Sequence, residues 1–340
     1  MSFTVRVTQF DQPFSVEIGE TIVDAALRQG LPYPHSCRAG NCSTCKSELI
    51  EGEVDLMEYS EFALTDAERA AGKILACRAV PWSDCTVAYL SEDEMVAHPQ
   101  RILTTKIVGL EHAAHDVVVL RLEILTGGPF TFSAGQYASL AFPGLPRRDF
   151  SMANAPGESP LEFHVRALPN GAVSAYVATR AKVGDELKVI GPFGGAYLRD
   201  AHTGPLLLAG GGTGLAPILS IARAALARDP ARPIVLYLGV RDERDLYAEA
   251  ELKALAAAHP SVSVQRILSE PSGATQRRTG FVHDAIGADL GAIENLKAYV
   301  AGPPVMVDAV SALLEARGLA KRDLHADAFF PAAATQGTPA

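Results

Sequence analysis

Apolar and polar positions alternate in two short runs near the start of the chain, residues 3–7 and 14–18, with a Gln-Pro break between them. This period of two predicts a strand hairpin. Thr21 then stands where a helix cap belongs, ahead of a helix through Asp24 and Leu27 that stops near Gly30. A cysteine-rich loop follows, with short strands around residues 47–50 and 86–89, so the first segment reads as a compact α+β unit. From residue 102 to about 199 the pattern is a series of short apolar runs, 117–122, 137–142, 161–167 and 186–190, separated by turn residues. That spacing predicts an antiparallel β-barrel, with Gly191-Pro192-Phe193-Gly194 as a turn closing it. From Gly204 the rhythm changes. An apolar run at 205–209 enters a glycine cluster and a helix from about Ala216. A strand at 234–238, a helix near 248–258, a strand at 262–267 and a last strand and helix around 299–315 follow. Strand–helix alternation of this kind predicts an α/β domain with a parallel sheet covered on both faces. The expected division is 1–92, a linker at 93–101, 102–201, 202–333 and a flexible tail at 334–340.

Composition changes this picture in one respect. The chain of 340 residues has a formal net charge of −9, but the excess is not spread evenly. Residues 1–95 carry seven Lys/Arg against sixteen Asp/Glu, whereas residues 96–340 carry twenty-three of each. An acidic first domain argues against nucleic acid as a partner. It suits either plain solubility or electrostatic steering of a protein with a basic patch. No apolar run is long enough to span a membrane and no secretion signal is apparent at the start, which points to the cytoplasm.

The chemistry begins with the cysteines. Cys37, Cys42 and Cys45 have the spacing Cys-x4-Cys-x2-Cys, and Cys77 follows from a separate segment. This is the plant-type 2Fe-2S arrangement. Three thiolates from one loop must converge on a small cluster, and Ala39, Gly40, Asn41, Ser43 and Thr44 are small enough to let the backbone wrap inward. A four-cysteine zinc site usually pairs two C-x2-C units and only one is present, so zinc is the weaker reading. Cys85 fits no ligand position and reads as a buried thiol.

In the second segment, the run from Arg147 to Asn154 resembles the Arg-x-Tyr-Ser flavin signature of the ferredoxin–NADP reductase superfamily. The resemblance implies that Arg148 neutralises the FAD pyrophosphate, Phe150 lies along the flavin and the Ser151 hydroxyl reaches the flavin N5 region. Phe150 stands where the family has Tyr, so the phenolic hydrogen bond is missing. The same resemblance puts His164 and Arg166 on the diphosphate and adenine side. Gly171-Ala172-Val173-Ser174 is similar to the family's Gly-x-x-Ser helix start, at which Gly171, Val173 and Ser174 would bind FAD phosphate.

The third segment carries Gly210-Gly211-Gly212-Thr213-Gly214 between a buried strand and a helix, where backbone N–H groups and the helix N-terminus favour a diphosphate. The GxGxxG pattern is not met. The run is similar instead to the superfamily's Gly-Gly-Thr-Gly form, which assigns Gly212, Thr213 and Gly214 to the nicotinamide dinucleotide. By the same resemblance Arg241 meets its adenosine half. Gly302 and Pro303 lie where nicotinamide approaches the flavin, with Ala301 in place of the family's usual Cys, and Phe329 covers the flavin. Arg241, Arg244, Arg277 and Arg278 could hold a 2′-phosphate, but Asp242, Glu243, Asp245 and Glu270 lie close to them in sequence. The balance favours NADH and leaves NADPH open.

Taken in order, the three segments resemble the reductase component of bacterial aromatic-ring-hydroxylating dioxygenases, with a plant-type (β-grasp) ferredoxin domain at the N-terminus. That resemblance implies a monomeric NAD(P)H-dependent oxidoreductase passing electrons from NADH through FAD to the cluster. The acceptor would be a Rieske-type ferredoxin or the terminal oxygenase. Alternatives are the reductase of a diiron monooxygenase of the phenol or methane type, an iron-sulfur flavoprotein acting on a deoxysugar-nucleotide, and a metal-binding scaffold without activity.

Overall fold

The computed structural model describes residues 2–35, 37–40, 43–61, 63–90, 96 and 98–330. Cys42, the expected tail at 334–340, and residues 93–95 and 97 of the expected linker lie outside the described residues.

In the first domain β1 (Ser2–Val7) and β2 (Phe14–Glu17) form the antiparallel hairpin, turning Val5, Val7, Phe14 and Val16 inward. The next element is α1 (Ile22–Arg28), whose first free N–H groups are partly satisfied by Thr21: its Oγ1 accepts from the Asp24 N–H at 3.2 Å. The remaining elements are β3 (Lys46–Glu51), β4 (Val54–Leu56), α2 (Asp66–Ala70), β5 (Lys73–Leu75), β6 (Ala79–Pro81) and β7 (Cys85–Tyr89). The sheet runs β2-β1-β7-β3-β5, with β4 and β6 as a separate antiparallel ribbon.

The second domain contains β8 (Arg101–Ala114), β9 (Val117–Thr126), β10 (Tyr137–Ala141), β11 (Arg148–Ser151), β12 (Leu161–Arg166), α3 (Ala172–Thr179) and β13 (Glu186–Phe193). The sheet order is β11-β10-β13-β8-β9-β12, antiparallel throughout, and it curls until its edges meet at a bridge between Met152 and Phe163. Residues 191–193 are therefore not the closing turn. They continue β13, with Phe193 opposite Tyr137 and Gly191 opposite Arg101, because both neighbouring strands offer ladder positions that far. Arg101 likewise opens β8 instead of ending a linker. The approach to it is tied down, with the Val96 N–H donating to the Tyr197 hydroxyl at 2.6 Å and the His98 ring meeting Ser133 Oγ at 2.8 Å.

The third domain runs β14 (Leu206–Gly211), α4 (Leu215–Arg228), β15 (Ile234–Val240), α5 (Glu249–Ala258), β16 (Val262–Leu268), β17 (Arg278–Thr279), α6 (Val282–Asp289), β18 (Lys297–Gly302), α7 (Pro304–Ala316) and β19 (Leu324–Ala328). All pairs are parallel in the order β17-β16-β15-β14-β18-β19. The strand and helix around 299–315 are thus not the last elements, since β19 adds a further edge strand beside β18. Along β14, Leu206 and Leu208 enter the core under α4, while Leu207 and Ala209 enter the one under α6 and α7. Burial on both faces is why the run reads as continuously apolar. The chain reverses direction across the sheet between β14 and β18, and ligands of such sheets bind outside the carboxyl ends of strands at that switch.

The barrel and the parallel-sheet domain share side-chain contacts. Ser220 donates to the Asn154 carbonyl at 2.8 Å, and Arg223 donates to the Ala153 carbonyl at 2.7 Å and to Glu162 at 3.2 Å. Burial opposes the charge on Glu162, yet His164, Arg223 and Arg121 around it hold its carboxyl down at about 2. Among the described residues no helix is long and apolar enough to cross a membrane.

Candidate redox sites and the junction between them

Cys45 and Cys77 are buried, and Cys37 lies half-buried beside them. The Cys77 thiol is drawn below its ordinary range by a hydrogen bond with Cys45, against burial and the nearby Cys37, with help from the Gly40 N–H and the Arg78 charge. Three of the four sequence-predicted ligands are thus brought together; Cys42 lies outside the described residues. The loop is tightly wrapped. Gly40 has φ +76°, and a Cβ there would stand 2.8 Å from Tyr59 Cβ and 2.9 Å from Arg78 Cγ. Thiols converging in a cradle with no room for a side chain, and with N–H groups facing the sulfurs, fit a small iron–sulfur cluster. Cys85 is elsewhere: its thiol lies 3.3 Å from the Ser83 carbonyl, and burial pushes it up.

The cysteine loop also reaches into the barrel. The guanidinium of Arg38 lies 4.1 Å over the Phe193 ring and is paired with Asp24 at 2.5 Å, while Phe193 packs on Tyr137 with ring centroids 5.7 Å apart. Just past the end of β13, His35 accepts the Gly194 N–H on Nε2 at 3.2 Å and meets the Tyr33 carbonyl through Nδ1 at 2.8 Å. Burial lowers His35 to about 4, so the ring is neutral with its proton on Nδ1. The fit is close, because a Cβ on Gly195 would lie 2.1 Å from the His35 carbonyl oxygen. The third domain joins the same point. Asp327, on β19, is buried and raised to about 7, by burial first and then by Cys37 and Asp149. Residues of all three domains therefore converge next to the cluster ligands.

On the barrel side, Arg148, Phe150 and Ser151 occupy the edge strand β11, paired with Leu140, Ala138 and Tyr137 of β10. Across from them, α3 starts at Gly171. The Ser174 hydroxyl bonds the Gly171 carbonyl and receives the Leu168 N–H, both at 3.2 Å, and the first backbone bond of the helix goes from Ala175 to Gly171. The N–H groups of Ala172, Val173 and Ser174 precede that bond and present an anion-binding helix end, with the Val173 side chain anchored in the barrel core. A cation on an edge strand and an open helix N-terminus suit a flavin diphosphate. His164 also meets the third domain. Its ring is buried against Tyr247 of the third domain, with Nδ1 3.0 Å from the Tyr247 hydroxyl and Nε2 3.7 Å from Glu162. Strand parity explains this, since Phe163 and Val165 fill the barrel and turn His164 outward to the neighbouring domain. Arg166, on the same face, pairs with Asp116 at 2.7 Å and comes within 3.5 Å of where a Gly212 Cβ would stand.

At the carboxyl ends of β14 and β18 two glycine turns lie against each other. A Cβ on Gly214 would meet the Ala301 carbonyl oxygen at 2.1 Å, and one on Gly302 (φ +141°) would meet the Gly211 backbone at 2.8 Å. Gly212, Thr213 and Gly214 form a single 3-10 turn leading into α4. Pro303 caps α7, and the Phe329 N–H donates to the Gly302 carbonyl at 2.8 Å, which carries the Phe329 ring to this mouth. Bare backbone at the switch point is the surface a dinucleotide diphosphate needs.

Comparison with known proteins agrees with this division. The 2Fe-2S iron-sulfur cluster binding domain profile matches residues 5–81, the oxidoreductase FAD-binding domain 104–197 and the oxidoreductase NAD-binding domain 208–312. The reductase component of the naphthalene 1,2-dioxygenase/salicylate 5-hydroxylase systems of Ralstonia sp. is 40% identical over 93% of this chain and 95% of its own. The chain belongs to the ferredoxin–NAD(P)+ reductase components of oxygenase systems. This reductase is also 37% identical to the phenol 2-monooxygenase reductase component DmpP of Pseudomonas sp. strain CF600, over 98% of this chain and 96% of that one. The crystal structure of the Amycolatopsis cytochrome P450 reductase GcoB superposes with a TM-score of 0.87 at 37% identity, covering 97% of this chain and 100% of the other. The reductase is an oxidoreductase that uses a 2Fe-2S cluster, FAD and a nicotinamide dinucleotide. Its junction residues Arg38, Tyr137, Phe193 and Asp327 escape a motif search, although Arg38 does stand next to a cysteine ligand.

Proposed function

We propose that the protein carries electrons from NADH through FAD and the 2Fe-2S cluster to a Rieske-type ferredoxin or the terminal oxygenase of an aromatic-ring-hydroxylating system. It would work in the cytoplasm as a monomer, since every station of the relay lies in one chain and cysteine ligands persist in a reducing compartment. The functional division follows residues 1–92, 102–201 and 202–333. When bound, the flavin takes two electrons together from NADH and the cluster passes them on singly.

The observation that carries this reading is the junction. Arg38 of the cluster loop lies over Phe193 of the barrel, His35 accepts the Gly194 N–H, and Asp327 of the nicotinamide domain is raised by burial and then by the charges of Cys37 and Asp149. In this reading Arg148 and the α3 N-terminus with Gly171, Val173 and Ser174 hold the FAD diphosphate. Phe150, Ser151 and Phe329 border its ring, with Ser151 and Phe329 acting next to the reacting atoms. Gly212, Thr213, Gly214, Gly302 and Pro303 receive the dinucleotide, and Arg241 and Arg166 flank it. NADH is favoured over NADPH because three of the four candidate cations are already committed, Arg244 being the exception. Arg241 pairs with Asp245 at 3.4 Å, Arg277 with Glu243 and Glu249 at 2.9 and 3.0 Å, and Arg278 with Asp289 at 2.6 Å. A second reading, with a monooxygenase as acceptor, is supported by the similarity to the phenol 2-monooxygenase reductase.

Anaerobic titration with NADH, followed by absorbance and electron paramagnetic resonance, tests the relay. Flavin bleaching must be accompanied by a reduced-cluster signal; bleaching alone would sink the proposal. Gly195→Ala provides a check on the junction. Its Cβ would collide with the His35 carbonyl and displace the cysteine loop, so flavin-to-cluster transfer is expected to slow by about tenfold or more. Stopped-flow traces should still give wild-type reduction of the flavin by NADH.

A further inference from the structure

Resting on that relay, we infer that the electrons leave through the outer face of the β4–β6 ribbon, and that this face docks a protein acceptor with an apolar centre ringed by basic residues. The ribbon begins two residues after Cys77, and its register is set by Val54 opposite Pro81, Asp55 opposite Val80 and Leu56 opposite Ala79. Two further bonds extend it. The Trp82 N–H donates to the Glu53 carbonyl at 2.8 Å, and the Met57 N–H donates to the Arg78 carbonyl at 2.9 Å.

Strand alternation sorts the side chains of the ribbon. Ala79 and Pro81 are buried, and Val54 and Leu56 pack on the domain core. The alternate positions, Glu53, Asp55 and Met57 on one strand with Arg78, Val80 and Trp82 on the other, take the opposite face; Glu53, Asp55, Met57 and Trp82 are exposed, and Arg78 and Val80 half-buried. Trp82, the one tryptophan in the chain, is 63% exposed and Met57 is 45% exposed. Exposing two large apolar side chains on adjacent strands costs solvation that a purely soluble surface would avoid, and Trp and Met are enriched where proteins meet. The surroundings choose the partner. Residues 51–61 hold Glu51, Glu53, Asp55, Glu58 and Glu61 and no Lys or Arg, and Arg78, the one cation among the six residues of the face, has its Nε on the Glu58 carbonyl at 2.8 Å. A basic rim on the acceptor would complement that charge and speed the encounter.

The face is also joined to the cluster by the chain itself. Arg38 of the cysteine loop lies over Phe193 of the barrel, the inlet, whereas β6 starts two residues after Cys77 and carries Val80 and, just past its end, Trp82. On this proposal the acceptor and the flavin domain use different surfaces of the first domain.

The test uses the full-length holoprotein with NADH and two acceptors: mitochondrial cytochrome c, a lysine-rich haem protein, and ferricyanide, which needs no docking. Trp82→Ala and Asp55→Lys are each expected to raise KM for cytochrome c by roughly tenfold, the scale of an interface hot spot. Asp55→Lys should also flatten the salt dependence. Ferricyanide turnover and the cluster signal should stay at wild-type values. Glu315→Lys, an equal charge change on the exposed side of α7, should leave both acceptors unaffected. Unchanged KM in the two ribbon variants, with a normally reduced cluster, would overturn the proposed face alone. A shift in Glu315→Lys equal to that in Asp55→Lys would assign the effect to net charge and also overturn it. A wild-type cluster that NADH cannot reduce would remove the relay, and the docking face with it.

Discussion

Replacing Cys77 by serine is expected to abolish the 2Fe-2S cluster and to lower NADH-driven reduction of a protein acceptor by at least about 100-fold, the upper end of what losing even a supporting residue costs at a metal site. NADH-driven reduction of ferricyanide should survive within about twofold, because the flavin and nicotinamide residues belong to other domains and other cores. The reason lies in where Cys77 comes from. Cys37 and Cys45 share one loop, but Cys77 arrives on a separate segment between β5 and β6 and is hydrogen-bonded to Cys45 inside the protein. A serine hydroxyl is far too weak an acid to replace the thiolate, so the cluster loses the ligand that closes it. Absorbance, iron content and paramagnetic resonance measure the loss. If Cys77→Ser kept its FAD but lost ferricyanide reduction too, the small acceptor would be drawing electrons from the cluster and the proposed order of transfer would be wrong.

Gly214→Ala is expected to reduce NADH-driven flavin reduction by at least about tenfold and to destabilise the third domain by about 1–3 kcal/mol, the usual cost of overpacking. The added Cβ would stand 2.1 Å from the Ala301 oxygen and 2.5 Å from its carbonyl carbon, with backbone on both sides and no flexible side chain to give way. The carboxyl ends of β14 and β18 must then move apart, and these ends form the mouth proposed for the dinucleotide. Reduction by dithionite should remain normal, since it bypasses NADH. Gly128→Ala serves as the comparison. Gly128 also has a left-handed backbone, φ +83°, but nothing lies within 4 Å of its Cβ position. It should cost about 1 kcal/mol from backbone strain and leave NADH kinetics unchanged. Equal kinetic loss in both variants would mean that stability, not the glycine mouth, governs the reaction.

The two variants differ in how readily their sites can be read from the chain. Cys77 is legible because the spacing of the other three cysteines asks for a fourth thiolate, and ligand chemistry tolerates few substitutes. The Gly210–Gly214 run is legible because a buried strand entering a helix through bare backbone has few other uses. Gly195 is not legible. It looks like any turn glycine until the structure brings the His35 carbonyl, from another domain, against it. His164 is legible in part: its place on a strand after Phe163 matches a family position, whereas its contact with Tyr247, more than eighty residues further on, carries no local signal. The turn expected at residues 191–194 has a similar origin: Gly and Pro read as punctuation, whereas pairing to β8 and β10 holds residues 191–193 in β13.

By itself the sequence determined the order of the three domains, the thiol ligands, the two glycine turns, the flavin strand and the concentration of negative charge in the first 95 residues. All of these rest on local signals, period, spacing and composition, which act within a few turns of chain. Only the tertiary structure decided how the stations face one another. Arg38 over Phe193, the Gly195 backbone against the His35 carbonyl, and Trp82 left exposed each depend on packing between distant segments. Such contacts form because each domain must bury its own apolar face, and the side chains that meet where those faces join carry no periodic signature of their own.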